Sequence, residues 1–334
     1  MKAVFFELEG WEKPYLEARL PTGHKYEFLL HRCTLDDLLL IGDADIISTF
    51  IFSQMKGDVL KAAKSARLIT TRSTGYDHVD CKAAAERGIA VANVPEYGSN
   101  TVAEHTLALL LALSRRIIPA YIRTKGGHFN TDGLRGFDLR GKTLGVVGTG
   151  NIGLHVIRMA SSFGLNVIAS DAHPRAALAD VLGFHYVPFE RLLGESDIIT
   201  LHCPATPQTH HLIRAETITK MKKGAILINT ARGSIVNTND LLHALETRQI
   251  AGAGLDVFDG EGTIKEDAPV AVDADREQLI AAIQAHRLLT REDVIVTPHN
   301  AFNSEEAVRR ILDTTVENIR CFIEKGAPAF PVGR

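Results

Sequence analysis

The sequence has few cysteines, no long apolar run and no strong excess of charge of either sign. Its four cysteines show neither CxxC nor another metal-ligand spacing, so they predict no metal site and no extracellular disulfide set. The longest apolar run, around Leu107 to Leu113, is too short to span a membrane. A net charge of -3 at pH 7 argues against nucleic acid or an anionic membrane as the main partner. The N-terminus has no signal-peptide core or cleavage site, so we expect a cytoplasmic protein.

Length and composition are those of a globular protein with ample material for buried cores. The chain has 334 residues, of which 45% are hydrophobic and 23% are charged. This length predicts one large or two moderate domains. No low-complexity stretch or repeat of solenoid period is present.

The run from Gly145 to Gly153 places a GxGxxG turn between a short apolar strand and an amphipathic helix. Gly148 allows the tight turn, Gly150 lets the backbone approach a pyrophosphate, and Gly153 lets the helix pack closely on the strand. The N-terminus of the helix supplies N–H groups and the positive end of the helix dipole. The helix is predicted to stop near Gly164. This pattern predicts a dinucleotide site.

The nucleotide is expected to be NAD rather than NADP. A second strand, Asn166 to Ser170, ends at Asp171. A carboxylate at this position accepts hydrogen bonds from the adenosine ribose hydroxyls and repels a 2′-phosphate. Arg175 lies close enough along the chain to weaken that preference.

Strand-like runs alternate with helical ones on both sides of the glycine turn, which predicts two α/β domains with parallel, doubly wound sheets, Rossmann-like or flavodoxin-like. Ligands bind at the carboxyl ends of such strands. The predicted strands, besides 143–147 and 166–170, are 2–6, 45–51, 67–71, 89–94, 197–202, 225–229, 252–257 and 294–297.

Two long helices are expected to join the domains. Ser99 to Ile117 has Thr101 and Glu104 at capping-box spacing and is apolar on nearly every face, as in a helix buried between domains or subunits. Glu305 to Lys325 then returns the chain to the first domain. The cofactor domain, 100–299, is thus predicted to be inserted in a substrate domain formed by 1–99 and 300–334.

Three residues that follow predicted strands have the chemistry for hydride transfer to a carbonyl. Arg232 follows Ala225 to Ile228 and has the geometry to clamp a carboxylate and polarise the adjacent carbonyl. His299 follows Val294 to Val296 and carries a proton near neutral pH. Glu261 also follows a strand, and a carboxylate beside the imidazole would fix its tautomer.

These motifs together resemble the NAD-dependent D-2-hydroxyacid dehydrogenases, and the motif match to D-lactate dehydrogenases is strongest. The resemblance covers nearly the whole chain in order and spacing. The matching segments are 71–80, 93–97, 103–105, 148–153, 195–204, 229–233, 254–258 and 297–299.

The resemblance implies a role for each matching position. Arg232, Glu261 and His299 would be catalytic, with Arg232 on the substrate carboxylate and carbonyl and Glu261 on the histidine. The backbone amides of Thr74 and Gly75 would complete the carboxylate clamp, and Tyr97 would line the pocket. Cofactor contacts are implied for Gly148, Gly150, Asn151, Ile152 and Gly153 at the pyrophosphate, Asp171 at the ribose, Cys203, Pro204 and Thr209 at the adenosine half, and Thr230, Ala231, Arg232 and Asp256 at the nicotinamide, where Asp256 would bind the carboxamide.

Other reactive side chains are expected to have structural or pocket-lining roles. His105, on an apolar helix, is expected to be a hydrogen-bonded core residue, and the family role of His78 is structural. His202, His210 and His211 are expected near the adenine side, away from acid-base chemistry. Cys203 has no base beside it in its motif and is interpreted as lining the pocket rather than as a nucleophile.

The residues after His299 point to the substrate. Asn300-Ala-Phe302 resembles the lactate branch of the family, whereas His-Ile-Gly is usual in the glycerate branches. Phe50 and Phe52 either form an apolar wall for a short or branched substrate side chain or belong to the core. The stretch from Gly262 to Asp293 matches no family motif, and one interpretation places part of it at the pocket rim. The preferred length of the substrate side chain is therefore left open.

The sequence therefore predicts reduction of pyruvate or a related small 2-ketoacid to the D-2-hydroxyacid by NADH, between two hinged domains. The resemblance also implies a homodimer formed through the cofactor domain, to which Ser99 to Ile117 would contribute. A glycerate or hydroxypyruvate enzyme is the alternative. A non-catalytic NAD(H) sensor like the C-terminal binding protein corepressors is a more distant one, since the chain keeps the Arg-Glu-His set.

Overall fold

A computed structural model describes residues 1–259, 261 and 276–332. Part of the unmatched stretch noted above, 262–275, lies outside the described residues. By contacts between Cα atoms the chain divides into two compact units: residues 1–97 with 303–334, and residues 98–302. No helix in the described part of the chain is both long and apolar enough to cross a membrane.

Strands and helices alternate along most of the chain. The described strands are β1 (Lys2–Phe5), β2 (Lys25–Phe28), β3 (Ile46–Thr49), β4 (Leu68–Thr71), β5 (Ala90–Ala92), β6 (Thr143–Val147), β7 (Asn166–Ser170), β8 (His185–Tyr186), β9 (Ile198–Leu201), β10 (Ala225–Asn229), β11 (Ile250–Leu255), β12 (Val294–Val296) and β13 (Pro331–Val332).

The helices vary more in length than the strands do. They are α1 (Glu12–Glu17), α2 (Leu38–Gly42), α3 (Gly57–Ala62), α4 (Cys81–Glu86), α5 (Ser99–Ser114), α6 (Ile117–Lys125), α7 (Asn151–Ser162), α8 (Ala176–Leu182), α9 (Phe189–Glu195), α10 (Ala215–Ile218), α11 (Thr238–Glu246), α12 (Arg276–Leu289) and α13 (Glu305–Lys325), with 3-10 turns at Leu35–Asp37 and Gly233–Ile235.

The first unit contains a six-stranded sheet in the order β13-β5-β4-β3-β1-β2. Neighbouring strands are parallel except that β13 pairs antiparallel with β5, a departure from the purely parallel sheet that the sequence predicts. In the pairing of β3 with β4, Thr49 lies opposite Thr71, so the loops that follow these two strands start side by side.

The second unit contains a seven-stranded parallel sheet in the order β12-β11-β10-β9-β6-β7-β8. Successive residues of β10 point to different cores, since Leu227 packs in one cluster and Ile226 and Ile228 pack in another. Helices therefore cover both faces of this sheet, as the α/β prediction requires.

The predicted long helix at Ser99 is shorter than expected and begins differently. It ends at Ser114, and α6 starts after Arg116, which adopts a left-handed conformation at φ 51°. Gly98 is its N-cap residue, so Thr101 lies inside the helix and the predicted capping box with Glu104 is wrong. Helix α5 packs against α7 and β11 of its own unit, which accounts for its apolar faces.

Candidate active site

The glycine turn has the geometry that a dinucleotide requires. Gly148 adopts φ +94°, and a Cβ there would lie 2.7 Å from the backbone nitrogen of Cys203. A Cβ on Gly153 would lie 2.1 Å from the carbonyl oxygen of Gly148, so these two positions accept only glycine. Gly150 differs, because a Cβ there would meet nothing within 4 Å. It is the N-cap residue of α7, so the N-terminus of this helix faces open space where a pyrophosphate fits.

Asp171 lies directly after β7 and is held in place by the turn. Its carboxylate accepts hydrogen bonds from the backbone N–H of Thr149 at 2.5 Å, from the Thr149 hydroxyl at 2.8 Å and from the N–H of His173 at 2.8 Å. Burial raises the pKa of Asp171, but these hydrogen bonds outweigh it and the pKa is lowered. The guanidinium of Arg175 donates to the Thr149 carbonyl. An ionised carboxylate therefore stands where the ribose is predicted.

The residues predicted at the adenosine half form one loop after β9. The hydroxyl of Thr209 donates to the carbonyl of Pro204 at 2.6 Å and accepts from the N–H of Thr206 at 2.8 Å. Burial raises the pKa of Cys203 to about 11, so its thiol stays protonated at neutral pH. This protonation favours the interpretation of Cys203 as a lining residue over that of a nucleophile.

Arg232 lies in a loop that Asn229 shapes. The Asn229 side chain is fully buried; its amide donates to the Arg232 carbonyl at 2.9 Å, and its oxygen accepts from the Ala231 N–H at 3.0 Å. A Cβ on Gly233 would lie 2.3 Å from the carbonyl of Phe258, so this loop packs directly on the loop after β11. Asn229 belongs to the 229–233 motif, but the sequence alone predicts no role for its side chain.

Glu261 and His299 meet as predicted. His299 Nδ1 lies 3.2 Å from one Glu261 carboxylate oxygen, and the other oxygen accepts from the Phe258 N–H at 3.3 Å. Their side chains are 24% and 37% exposed. With Nδ1–H donating to the carboxylate, Nε2 is the ring nitrogen left for proton exchange. Because β10, β11 and β12 are neighbours, the loops carrying Arg232, Glu261 and His299 leave one edge of the sheet side by side.

Asp256 holds the loop that carries His299 through hydrogen bonds. His299 has φ 52°, a left-handed conformation that costs about 1–3 kcal/mol for a residue other than glycine. Its N–H donates to the Asp256 carbonyl at 3.0 Å. The Asp256 carboxylate, 2% exposed, accepts from the N–H groups of Asn300 at 3.0 Å and Ala301 at 2.9 Å and from the Thr297 hydroxyl at 2.6 Å. We therefore assign Asp256 to positioning His299; its predicted contact with the nicotinamide carboxamide stays a prediction.

We expect Asp256→Asn to lower the free energy of unfolding by about 1–3 kcal/mol, because the new amide group turns donors toward backbone N–H groups that need acceptors. Urea unfolding measures the effect. Asp259→Asn is the matched control, because that carboxylate lies further along the same loop after β11, is 46% exposed and bonds His211. Equal stability of the two variants would contradict the assignment.

Two histidines outside the predicted catalytic set, His105 and His78, are hydrogen-bonded. His105 Nε2 lies 3.0 Å from the Thr297 hydroxyl and 3.5 Å from Asp256. It is thus hydrogen-bonded as expected, but to the loop that carries His299 rather than within the apolar core. His78 is buried and contacts the Thr71 hydroxyl at 2.9 Å, in agreement with a structural role.

His202 lies half-buried against the glycine turn, and it is neutral in the folded chain. Its Nε2 lies 2.9 Å from the Thr200 hydroxyl, and within the described residues its buried Nδ1 has no hydrogen-bond partner. Burial lowers the pKa of His202 to about 3. An unfolded histidine titrates near pH 6.5. Between these two pKa values, only the unfolded chain binds a proton at His202. The stabilisation that the neutral His202 provides is therefore present above pH 6.5 and is lost as the pH falls.

We expect His202→Gln to reduce the loss of stability between pH 6.5 and 5. For one proton the wild-type slope from this residue approaches about 1.4 kcal/mol per pH unit. Urea unfolding at several pH values measures the slope, and His243→Gln, at an exposed position of α11, is the control. An unchanged slope in His202→Gln would show that His202 takes up its proton in the folded state.

Thr74 and Gly75, the predicted carboxylate clamp, lie in the first unit after β4. The Thr74 hydroxyl donates to the carbonyl of Val94 at 2.8 Å, and the Thr74 carbonyl accepts from the Asn93 side chain at 2.8 Å. The Gly75 carbonyl accepts from the Ser73 hydroxyl at 2.6 Å. Carbonyl and hydroxyl groups therefore hold this turn. The binding of a substrate carboxylate by its backbone amides stays a prediction.

The predicted aromatic pocket residues differ in exposure. Phe52 follows β3 and is 56% exposed, so it is not a core residue. Phe50 and Tyr97 are half-buried, and the Tyr97 carbonyl accepts from Arg310 at 2.6 Å. Phe302, also half-buried, is the last residue of the second unit. The sequence left open whether Phe50 and Phe52 form an apolar wall for a ligand or belong to the core. The exposure of Phe52 favours the wall for this residue.

The chain is similar to known proteins over nearly its whole length. Residues 107–301 match the family described as D-isomer specific 2-hydroxyacid dehydrogenase, NAD binding domain. A 2-hydroxyacid dehydrogenase homolog of Haemophilus influenzae is 36% identical over 329 residues, covering 96% of this chain and 95% of that protein. D-lactate dehydrogenase of Escherichia coli is 33% identical, covering 98% of both chains. The crystal structure of an Aquifex aeolicus D-lactate dehydrogenase complexed with NAD and lactic acid superimposes with a TM-score of 0.88 at 32% identity, covering 99% of both chains.

The predicted family, α/β fold and cofactor are confirmed by these matches. The chain belongs to the D-isomer-specific 2-hydroxyacid dehydrogenases, and its cofactor is NAD.

Proposed function

We propose that the protein reduces pyruvate or a related small 2-ketoacid to the D-2-hydroxyacid. The observation that carries this proposal is the His299–Glu261 pair at 3.2 Å, on loops adjacent to the one that carries Arg232. An acid-base group and a cation at the carboxyl edge of an NAD-binding sheet suit reduction of a carbonyl that lies next to a carboxylate.

The reaction divides among a few side chains. When bound, NADH supplies the hydride that adds to the carbonyl carbon. Arg232 binds the substrate carboxylate and polarises the carbonyl, with the amides of Thr74 and Gly75 as further donors. His299 Nε2 gives its proton to the carbonyl oxygen, and Glu261 stabilises the ring through Nδ1. In the reverse direction His299 takes the proton from the hydroxyl.

The chain's own residues would hold the cofactor as the sequence predicts. Gly148, Gly150 and Gly153 leave room at the start of α7 for the pyrophosphate, where the amides of Asn151 and Ile152 bind it. Asp171 binds the ribose. The remaining contacts assigned by the proposal are Cys203, Pro204 and Thr209 at the adenosine half and Thr230, Ala231, Arg232 and Asp256 at the nicotinamide.

The substrate side chain would lie against aromatic residues. We assign Phe52, Tyr97 and Phe302 to this contact; the exposure of Phe52 supports the first assignment. An apolar wall favours the methyl group of pyruvate, or a somewhat larger alkyl group, over a hydroxymethyl group.

Oxidation of NADH by a panel of 2-ketoacids tests the proposal. The panel contains pyruvate, hydroxypyruvate, glyoxylate, 2-ketobutyrate and phenylpyruvate, each repeated with NADPH. We expect the largest kcat/KM with pyruvate or 2-ketobutyrate, a D product, and lower kcat/KM with NADPH because Asp171 repels its 2′-phosphate. A preference for hydroxypyruvate by orders of magnitude would instead indicate a glycerate-type enzyme.

We further propose that the protein acts in the cytoplasm, which the four free cysteines support, and that it is a homodimer. Exposed apolar side chains on α6 and the loop after it support the dimer. They are Ile117, Ile118, Tyr121, Ile122 and Phe129, with exposures from 42% to 83%.

We therefore propose that helix α6 forms the dimer contact. The sequence had predicted that the preceding helix contributes to it. We expect Ile122→Glu to shift the sedimentation equilibrium from dimer to monomer, whereas Val181→Glu, at an even more exposed apolar position on α8, leaves it unchanged. A monomeric wild type would contradict the proposal.

A further inference from the structure

We propose that Glu7 is a positioning residue that sets which 2-ketoacid side chains the enzyme accepts, because its carboxylate holds the turn that carries Phe52. This inference rests on the proposed function and adds to it a residue that the sequence motifs do not include. Glu7 lies just after the end of β1, and β1 is next to β3 in the sheet.

The carboxylate of Glu7 holds this turn through two backbone groups. One oxygen accepts from the N–H of Phe50 at 2.6 Å, and the other accepts from the N–H of Phe52 at 2.7 Å. Both bonds are charge-assisted and cross between distant parts of the sequence. The conformation of the segment from Phe50 to Phe52 is therefore specified by a side chain outside it.

Hydrogen bonds of its backbone hold Glu7 in a strained conformation. Its φ of 57° is a left-handed conformation that a residue with a Cβ adopts at a cost. Its N–H donates to the carbonyl of His31 at 3.0 Å, and its carbonyl accepts from the guanidinium of Arg72 at 2.7 Å. Every polar group of Glu7 thus has a partner, so its carboxylate is presented to the turn in one orientation.

Arg72 anchors this arrangement inside the unit. Its side chain is 2% exposed, and its guanidinium also donates to the carbonyl of Phe6 at 2.6 Å and to the Ser48 hydroxyl at 3.1 Å. It lies 5.9 Å from the centre of the Phe50 ring. The buried guanidinium therefore supports both Glu7 and the turn that Glu7 holds.

The turn lies where it can affect substrate choice. It begins beside the loop that carries Thr74 and Gly75, since β3 and β4 pair with Thr49 opposite Thr71. Phe52 is the exposed aromatic side chain of this turn. A rigid aromatic ring next to the predicted carboxylate clamp restricts the size of the substrate side chain, and a mobile ring restricts it less.

Glu7→Gln tests the inference, because it keeps the shape and replaces one acceptor by a donor that faces a backbone N–H. We expect the ratio of kcat/KM for pyruvate to that for phenylpyruvate to fall about tenfold, the low end of what an apolar pocket contact contributes. Glu9→Gln is the matched control, since the Glu9 side chain bonds Trp11 and is exposed.

A double-mutant cycle with Phe52→Ala separates positioning from a general structural effect. If Glu7 acts through Phe52, Glu7→Gln leaves the substrate ratio unchanged in the Phe52→Ala background. Hydrogen exchange of the segment around residues 50–52 should also rise in Glu7→Gln and not in Glu9→Gln. An unchanged ratio in Glu7→Gln, or the same tenfold change in both backgrounds, would overturn the inference.

Failure of the proposed function would show itself differently. In that case the wild-type enzyme reduces none of the 2-ketoacids, and the claim about selectivity falls with it. A wild type that reduces pyruvate and a Glu7→Gln variant with unchanged selectivity would reject the role of Glu7 alone.

Discussion

Replacement of His299 by glutamine is expected to lower kcat for pyruvate reduction by about 10²- to 10⁴-fold, the range typical for loss of a general acid. Glutamine can hydrogen-bond to Glu261 but cannot deliver a proton to the forming alkoxide. NADH binding should change little, since the imidazole is assigned to the substrate. Steady-state kinetics give kcat, and fluorescence titration gives the Kd for NADH.

The chain offers a matched control for this variant. His211 lies 3.0 Å from the Asp259 carboxylate, so it forms a second histidine–carboxylate pair in the same unit. His211→Gln should retain most of the wild-type kcat. A His299→Gln enzyme with more than a tenth of the wild-type kcat would exclude His299 as the acid.

Replacement of Arg232 by alanine is expected to lower kcat/KM for pyruvate by about 10³-fold, which corresponds to about 4 kcal/mol. The variant loses the paired hydrogen bonds to the substrate carboxylate and the charge that polarises the carbonyl. Arg232→Lys keeps the charge but not the planar donor pair, so its kcat/KM should lie between those of alanine and wild type.

Arg214 provides the comparison for the arginine. It is exposed and pairs with Glu216 at 2.8 Å, and Arg214→Ala should leave kcat/KM unchanged. If Arg232→Ala kept wild-type kcat/KM, another group would have to bind the substrate carboxylate.

The two variants also separate an enzyme from a non-catalytic NAD(H) sensor. An enzyme loses turnover in His299→Gln and Arg232→Ala while it still binds NADH. A sensor has no turnover to lose, and its binding to a protein partner does not depend on an acid-base pair.

Three strands and one helix were predicted to the residue, and the other predicted strands differ from the observed ones by one or more residues at an end. β6, β7 and β10 have the predicted bounds, as does α13, because each combines a continuous or periodic apolar pattern with clear flanking residues. β2 was missed, since Lys25–Phe28 is a half-exposed edge strand with charged residues and lacks a buried pattern. The end of α5 was missed because the break at Arg116 depends on its left-handed backbone, which no glycine or proline marks.

The residues that we propose to be catalytic were recognised because they belong to motifs, but the contacts that support them were not predicted. Glu261 and His299 come from separate motifs, and their predicted contact is present at 3.2 Å. The carboxylate of Asp256 accepts three hydrogen bonds from the 297–301 loop, which the sequence did not predict; its expected contact with the nicotinamide stays a prediction. Only the folded loop shows these hydrogen bonds, because the donors are mainly backbone N–H groups, which every residue other than proline possesses.

The sequence alone determined the α/β class, the NAD site and the family, because glycine spacing, apolar periodicity and short motifs are local properties of the chain. Tertiary structure decided which side chains from distant parts of the sequence hold the loops: Asp256 at the His299 loop and Glu7 at the turn of Phe52. These contacts join residues far apart in sequence and depend on the pairing of strands and on left-handed backbone at His299 and Glu7. No local pattern encodes them, since each arises only when the sheet brings the strand ends together.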